Sequence, residues 1–318
     1  MECRTKVKIL ITGGAGYIGR VMTKHLLRRE DQVRVLDSMI YGNHVDQGGR
    51  IEVFNGDMND PGLLEKSIRD VDVIFHLGAI VGDQACDLDV DRTLRTNYLA
   101  TCNVAHACDN FRKTLVFFST CSVYGVSSGS AIDEDGEVHP LSLYASTKFA
   151  AEQQVRRLAR DHLIFRLGTV FGVSPRMRFD LVVNRMIAQA VLDGSITVFG
   201  GEQFRPFIHI TDVVDNVLRA LDSDARGLYN LGGKNYKIRK IGTKIAEATG
   251  SKVKVIPEKK DPRDYAVDSG RARKSWGATF ATDVDHAVDE VSHFVKASSL
   301  RSCDEAIYNN AEWLRTHG

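Results

Sequence analysis

Short apolar runs alternate with amphipathic stretches along the first half of this chain, and no other feature of the sequence limits its fold as strongly. The apolar runs predict strands at residues 7–11, 32–36, 51–54, 71–75 and 114–118, with another strand beginning at Ile164. Helical spacing separates them at residues 17–29, 91–108 and 144–160. Strands that are apolar throughout are buried on both faces, which requires helices on both sides of a parallel sheet. We therefore predict an α/β fold with a doubly wound parallel sheet.

Composition and charge exclude several classes of protein. The 318 residues are 43% hydrophobic and 26% charged, and the formal net charge of +1 gives no basis for binding nucleic acid or a membrane surface. No apolar run reaches the length of a membrane span, and the first residues lack a secretory signal, so we expect a cytoplasmic protein. The six cysteines show no CxxC spacing. We interpret them as reduced thiols and predict no metal site.

A glycine-rich turn, TGGAGYIG at residues 12–19, joins the first predicted strand to the first predicted helix. At such a junction Gly13 permits a tight turn, Gly16 lets the backbone approach a pyrophosphate, and Gly19 allows close packing of helix on strand. The N–H groups at the start of the helix then face the phosphates. This arrangement predicts a Rossmann dinucleotide-binding site.

An acidic residue, Asp37, ends the second predicted strand 18 positions after Gly19. There its carboxylate can accept hydrogen bonds from both hydroxyls of the adenosine ribose and repel a 2′-phosphate. This position favours NAD over NADP, while Ser38 and the nearby Arg34 leave some tolerance of NADP open.

The regular alternation weakens after about Val170, which indicates a second structural unit. Later strands are predicted at residues 196–199, 206–210 and 252–256, and later helices at 180–192, 211–221 and 238–249. We predict that residues 1–170 form the NAD-binding domain and that residues 171–318 form mainly a smaller C-terminal α/β lobe for substrate. Segments near 205–231 are expected to return to the first domain.

Tyr144 and Lys148 stand four residues apart in YASTK, about one helical turn, and therefore share one face of a helix. A phenol with a pKa of about 10 is a poor acid–base catalyst at neutral pH unless a neighbouring cation favours its phenolate. Ser119 and Thr120 follow the predicted strand that ends at Phe118, and ligands of a doubly wound sheet bind at the carboxyl ends of its strands. The pattern predicts a proton-handling group beside the dinucleotide.

Eight segments occur in a characteristic order from Thr12 to about Asp212. They are TGGAGYIG, Asp37, NGD at 55–57, HLGA at 76–79, Asn97, STCSVYG at 119–125, YASTK at 144–148 and RPFIH at 205–209. Together they resemble the extended short-chain dehydrogenase/reductase family, in its NAD-dependent sugar-nucleotide epimerase/dehydratase branch, of the UDP-glucose 4-epimerase kind.

The resemblance implies roles for individual residues. Tyr144 would be the general base, Lys148 would hold the nicotinamide ribose and lower the pKa of Tyr144, and Thr120 would hydrogen-bond the reacting oxygen. The cofactor-binding residues it implies are Gly13, Gly16, Tyr17, Ile18, Gly19, Asp37, Ser38, Asp57, Met58, Leu77, Gly78, Ala79, Asn97, Ser119, Tyr144 and Lys148. For Asn97, fixing a bend in its helix is the main role implied.

Substrate contacts follow from the same resemblance. The residues implied are Thr120, Cys121, Ser122, Thr169, Arg178, Asn184, Arg205 and Arg263. Arg205 and Arg263 would grip a diphosphate, because two guanidiniums can engage its oxygens bidentately. The sequence departs from the family pattern at Thr169, where Asn is usual, and at Pro206, where Asp is more frequent.

Cys121 and Ser122 stand where the family's 4,6-dehydratases carry an Asp–Glu pair, so that type of dehydration is disfavoured. Cys121 is either a proton carrier or a packing residue. His76 and His209 are interpreted as strand-end histidines and not as metal ligands.

The leading hypothesis is an NAD-dependent epimerase acting at C4 of a nucleoside-diphosphate sugar through a 4-keto intermediate. A dehydratase or a 4-dehydrogenase would share the same first oxidation, and a non-catalytic NAD-binding sensor is a more remote alternative. Family members usually form homodimers, here through helices 91–108 and 144–160. Neither the sugar nor the nucleoside can be read from the sequence.

Overall fold

The computed structural model describes residues 6–42, 45, 50–258 and 261–317. Its strands are β1 (Lys8–Thr12), β2 (Gln32–Asp37), β3 (Ile51–Asn55), β4 (Val73–His76), β5 (Thr114–Thr120), β6 (Val126–Ile132), β7 (His162–Leu167), β8 (Thr169–Phe171), β9 (Ser195–Phe199), β10 (Phe204–His209), β11 (Gly227–Leu231), β12 (Lys234–Lys237), β13 (Lys252–Ile256) and β14 (Asp264–Val267). Its α-helices are α1 (Tyr17–Arg28), α2 (Pro61–Ile68), α3 (Asp83–Asp87), α4 (Val90–Leu94), α5 (Ala100–Asn110), α6 (Leu143–Leu158), α7 (Val182–Asp193), α8 (Ile210–Leu221), α9 (Ile238–Thr249), α10 (Gly270–Trp276), α11 (Val284–Ala297) and α12 (Asn310–His317).

A seven-stranded sheet in the order β11-β7-β5-β4-β1-β2-β3 forms the centre of the molecule, and every pair of neighbours in it is parallel. The predicted doubly wound α/β fold is therefore confirmed. Strand order reverses at β1, which has β2 on one side and β4 on the other. The carboxyl end of β1 thus lies at the switch point, where such sheets bind ligands.

Successive residues of the central strands pack on opposite faces of the sheet. In β1, Ile9 and Ile11 belong to one hydrophobic cluster and Leu10 to another, and all three side chains are fully buried. Burying each such side chain contributes about 1.5–3 kcal/mol. Burial on both faces explains why the strands are apolar throughout instead of alternating with polar residues.

The later elements follow the predictions less closely. The strand predicted at 206–210 is β10, which pairs with β8 and β12 in a separate three-stranded sheet. The strand β11 joins the central sheet beside β7. No element was predicted after residue 256, although the structure has helices there. The domain division at residue 170 stays a prediction.

The predicted helix at 91–108 is interrupted. A π-helical turn at Arg95–Leu99 separates α4 from α5, and the fully buried Asn97 lies within it. The Asn97 side chain accepts a hydrogen bond from the Ile80 N–H at 2.8 Å and donates one to the Ile80 carbonyl at 2.9 Å. Asn97 therefore fixes the chain just beyond β4.

The C-terminal segment returns to the first half of the chain. The Trp313 indole N–H donates to the Ile40 carbonyl at 2.5 Å, and the Asn310 amide donates to the Val81 carbonyl at 3.0 Å. Helix α12 consequently docks beside the carboxyl ends of β2 and β4. Among the helices in the described ranges, none has the length and apolar character needed to cross a membrane.

Candidate active site

A cavity of about 980 Å³ lies at the carboxyl ends of the central strands. Its walls come from the loops after β1, β2, β4 and β5, from α6, and from the C-terminal half of the chain. All the predicted site residues line this cavity except Asn97, Cys121 and Asn184. Their individual binding roles stay predictions, and the geometry below shows what each one can do.

The glycine turn forms a tight cradle at the start of α1. Gly13 has φ of +74°, and a Cβ there would lie 2.6 Å from the backbone nitrogen of Gly78. A Cβ at Gly19 would lie 2.5 Å from the Gly13 carbonyl oxygen. No side chain caps the first N–H groups of α1, and its first turn contains no acidic residue. These features fit the pyrophosphate of a dinucleotide, which needs close backbone approach and free N–H donors.

Asp37 is held in a fixed orientation at the end of β2. One of its carboxylate oxygens accepts from the Ala15 N–H at 2.9 Å, and the other accepts from the Met39 N–H at 2.8 Å. Each oxygen retains further lone pairs that can accept from ribose hydroxyls. The backbone thus positions the carboxylate for the predicted contact with the adenosine ribose.

Replacing Asp37 by Ala is expected to weaken NAD binding roughly tenfold to hundredfold, because hydrogen bonds to a charged group contribute about 1.5–3 kcal/mol. NADP binding should weaken less, since the charge that repels a 2′-phosphate is also removed. Titration of the purified protein with each dinucleotide measures both changes. Asp72→Ala is the matched control and should change NAD affinity little, because Asp72 also accepts from a backbone N–H, that of Lys8 at 2.8 Å, but does not line the cavity. Equal NAD affinities for wild type and Asp37→Ala would contradict the assignment.

Tyr144 and Lys148 lie in the first two turns of α6. This helix begins after Ser142, whose hydroxyl accepts from the Ala145 N–H at 3.2 Å. Tyr144 lines the cavity together with Thr120, which lies at the end of β5. The Lys148 ammonium group lies 4.1 Å from the ring centroid of Phe117. The structure therefore brings the three predicted catalytic side chains to one end of the cavity.

Burial controls the ionisation of this pair. It raises the pKa of Tyr144 above its ordinary value, an effect that the hydrogen bond from Thr120 only partly offsets. Burial also lowers the pKa of Lys148 to about 7, against the opposing charge of Glu152. Burial thus disfavours the charged form of both groups, and the lowering of the Tyr144 pKa by Lys148 stays a prediction.

A buried ion pair stabilises α6, the helix that contains Tyr144 and Lys148. Glu152, one turn after Lys148, accepts from Arg166 at 2.6 and 3.0 Å and from the Ser119 hydroxyl at 2.9 Å. Arg166 also donates to the Tyr124 hydroxyl at 2.9 Å. The pair ties α6 to the ends of β5 and β7. Sequence reasoning missed it, although the four-residue spacing from Tyr144 through Lys148 continues to Glu152.

The two predicted phosphate-binding arginines meet across the cavity. The Arg205 and Arg263 guanidiniums approach one oxygen of Asp261 at 2.9 and 2.7 Å. Arg263 also pairs with Asp83 at 3.0 Å. Segments nearly sixty residues apart thus place two planar donor groups together, as a diphosphate requires. Asp83 has no counterpart in the predicted motifs.

Other polar groups complete the cavity wall. The Arg178 guanidinium makes two hydrogen bonds to Asp180, at 2.8 and 2.7 Å. The neighbouring Arg176 lies 4.5 Å from the ring centroid of Tyr41, and burial together with the charge of Arg178 lowers its pKa to about 10. Arg176 is buried and therefore does not belong to a solvated loop.

Two residues predicted to contact substrate, Cys121 and Asn184, do not line the cavity. Cys121 begins the short 3-10 turn after β5, where it is fully buried and its thiol donates to the Arg166 carbonyl. Asn184 is also fully buried, and its amide donates to backbone carbonyls of Gly172 and Arg178. Both side chains therefore make their hydrogen bonds within the protein interior. The remaining member of the Cys121–Ser122 pair, Ser122, does line the cavity.

Neither of the histidines considered is positioned as a metal ligand. The His76 ring lies between the Thr12 and Thr101 hydroxyls, at 2.6 and 2.9 Å, and its burial lowers its pKa to about 3. His209 contacts Glu290 at 2.8 Å. Over the described ranges, no group of three or more His, Cys, Asp or Glu residues could hold a metal ion.

The site thus combines a dinucleotide cradle, a Tyr–Lys–Thr cluster and an arginine pair in one cavity. A family model described as "NAD dependent epimerase/dehydratase family" matches residues 9–232. The chain belongs to this family.

Individual relatives cover most of the chain. The UDP-N-acetyl-alpha-D-glucosaminuronate decarboxylase of Bacillus cytotoxicus is 28% identical over 79% of this chain and 83% of its own length. Among solved structures, MoeE5 in complex with UDP-glucuronic acid and NAD is 27% identical, with a TM-score of 0.81 over 92% of this chain and 99% of that one. The UDP-glucuronic acid 4-epimerase of Bacillus cereus, in complex with UDP-glucuronic acid and NAD, is 26% identical, with a TM-score of 0.79 and the same two coverages.

These relatives share one enzyme class. The protein is an enzyme of the NAD-dependent nucleotide-sugar epimerase, dehydratase and decarboxylase class, and NAD is its cofactor.

Proposed function

We propose that the protein oxidises the C4 hydroxyl of a nucleoside-diphosphate sugar and then reduces the resulting ketone on its opposite face, so that the product is the C4 epimer. The observation that supports this most directly is that Tyr144, Thr120 and Lys148 line the same cavity as the Arg205–Arg263 pair. The Tyr–Lys–Thr cluster can accept and return the proton of a sugar hydroxyl, and the arginine pair can hold a diphosphate.

The roles of the chain's own residues follow from their positions. Bound NAD supplies the acceptor for the hydride that leaves C4. Tyr144 takes the hydroxyl proton, Thr120 orients the reacting oxygen, and Lys148, when protonated, stabilises the phenolate. Because the pKa of Lys148 is about 7, this stabilising charge is present on only part of the free protein at neutral pH.

We infer the step that follows oxidation at C4 from the absence of an acid–base pair among the residues directly after β5. Elimination of water would need an acid and a base there, and Cys121 points into the protein while Ser122 bears only a hydroxyl, shared with Tyr265 at 3.3 Å. Epimerisation needs no further acid or base, since the same hydride and the same proton return to the sugar.

Decarboxylation is a second candidate. The relatives named above include a decarboxylase of an acid sugar, and Arg176 and Arg178 line the same cavity. Oxidation at C4 of a hexuronate gives a β-keto acid, whose C5–C6 bond can break with loss of carbon dioxide and a proton gained at C5. An acid sugar would therefore need no additional catalytic carboxylate.

The product formed from a panel of UDP-, GDP-, CDP- and dTDP-sugars tests the proposal. We expect a product of unchanged mass and inverted C4 configuration, read by mass spectrometry and proton NMR. Loss of water, of two hydrogens or of carbon dioxide would instead identify a dehydratase, a dehydrogenase or a decarboxylase. If every sugar is returned unchanged, no C4 oxidation occurs and the non-catalytic sensor becomes the better explanation.

We also propose that the protein forms a homodimer through the helices around α4 and α6. Four large apolar side chains between residues 88 and 99 are each at least 40% exposed: Leu88, Val90, Leu94 and Leu99. These side chains lie close together along α4 and the π-helical turn. They support a dimer in which this surface packs against the same surface of a second copy.

A further inference from the structure

Arg176 is a buried cation on the wall of the cavity, with an exposed fraction of 3%. Among the described residues its guanidinium makes no hydrogen bond and no ion pair, whereas the neighbouring Arg178 is paired with Asp180 at 2.7 Å. Burial and the charge of Arg178 lower the pKa of Arg176 only to about 10, so Arg176 is charged at neutral pH. Burying a cation without a counter-ion is costly, and this position therefore favours an anionic ligand.

The terminal nitrogens of Arg176 are the atoms that such a ligand can reach. The inner nitrogen Nε is completely covered and meets no acceptor in the described part of the chain. Nη1 and Nη2 keep some accessible surface, and the space that Arg176 lines is the cavity. The two terminal N–H groups of a guanidinium form a planar pair, which matches two oxygens of a phosphate or a carboxylate.

The loop that carries Arg176 packs on the start of α1. The Ser174 hydroxyl donates to the Tyr17 carbonyl at 2.7 Å, and the Tyr17 hydroxyl donates to the Gly172 carbonyl at 2.5 Å. The Arg176 backbone N–H in turn donates to the Ser174 hydroxyl at 3.3 Å. Asp37, at the end of β2, is near enough for its charge to act on Arg176. Arg176 therefore lies near both the glycine turn and the carboxylate predicted to contact the adenosine ribose.

The anion that a dinucleotide places in this region is its pyrophosphate. In a Rossmann site the pyrophosphate binds at the start of the first helix, next to the ribose that the acid after the second strand contacts. No acidic side chain lies in the first turn of α1. The N–H groups of this turn carry only partial positive charge, and a guanidinium adds the full charge that they lack.

We propose that the terminal nitrogens of Arg176 bind the pyrophosphate of NAD, so that the loop after β8 holds the cofactor together with the glycine turn. The inference depends on NAD as the cofactor and not on the fate of the sugar, and it therefore goes beyond the proposed function. It assigns a cofactor contact to a segment outside the glycine turn, Asp37 and the Tyr–Lys pair.

Arg176→Met tests the contact by titration of the nucleotide-free protein with NAD and with ADP-ribose, in the absence of any sugar. ADP-ribose keeps the pyrophosphate and lacks the nicotinamide. We expect both dissociation constants to rise roughly tenfold to hundredfold, because a charge-assisted contact with phosphate is lost. Without ligand, Arg176→Met should unfold at the wild-type temperature or above it, since the variant no longer buries an unpaired charge.

Arg185→Met is the matched control, because Arg185 also lines the cavity but is paired with Asp304 at 2.6 Å. It should leave both dissociation constants unchanged. Wild-type affinities in Arg176→Met would overturn the inference, as would an equal loss in Arg185→Met or weaker binding accompanied by lower thermal stability without ligand. If Arg176→Met instead bound UDP-glucuronic acid more weakly, with NAD and UDP-glucose bound as by the wild type, the anion would be a sugar carboxylate and the inference would be wrong.

Discussion

Tyr144→Phe is expected to reduce turnover by roughly a hundredfold to ten-thousandfold, the usual contribution of a positioned general acid–base group. The variant keeps the aromatic ring, which packs against the buried cluster formed by Ile80, Ala85, Cys86 and Ala311. It loses the hydroxyl that takes the sugar proton in the proposed reaction. NAD binding should be retained, because the cradle around Gly13 and Asp37 is untouched. Single-turnover kinetics and NAD titration measure the two effects separately.

Tyr124→Phe provides the control for this experiment. Tyr124 is a second buried tyrosine close to β5, but its hydroxyl donates to Asn230 at 2.8 Å and accepts from Arg166, and it does not line the cavity. Its loss should lower stability and leave the chemical step nearly intact. If Tyr144→Phe turned over as fast as Tyr124→Phe, proton transfer would have to be assigned to another group.

The central sheet could be predicted because the apolar residues of each strand indicate that the strand is buried. Two-sided burial makes the central residues of β1, β4 and β5 apolar, and the glycine turn after β1 marks the switch point. The dinucleotide cradle was predictable for the same reason, since its geometry depends on glycines that are adjacent in sequence. Local physics determines these features, so one sequence is enough to reveal them.

Side-chain direction and long-range contacts could not be read in this way. Thr120 and Cys121 are neighbours in a single motif, yet one faces the cavity and the other the interior. The contact between Trp313 and Ile40 joins residues 273 positions apart, and no motif in the sequence of α12 predicts this contact. The raised pKa of Tyr144 depends on burial that many distant segments create together.

The largest loss of stability is expected from Glu152→Gln, which neutralises the buried partner of Arg166. Glu152 and Arg166 have exposed fractions of 0% and 2%. Removing one charge of such a pair leaves the other buried without compensation, at a cost of about 3–5 kcal/mol in the free energy of unfolding. Denaturant unfolding, followed by far-UV circular dichroism, measures this change. Turnover should also fall, because Glu152 lies one turn from Lys148 on α6 and its charge raises the Lys148 pKa.

Two comparisons separate the ion pair from a general effect of losing a carboxylate. Glu65→Gln removes one half of an exposed pair, with Arg69 at 2.7 Å, and should change stability little because water already screens that pair. The double variant Glu152→Leu with Arg166→Met should be more stable than Glu152→Gln, since neither charge is then left buried alone. If the double variant were instead less stable than the single one, the hydrogen bonds of the pair to Ser119 and Tyr124 would contribute more than charge compensation.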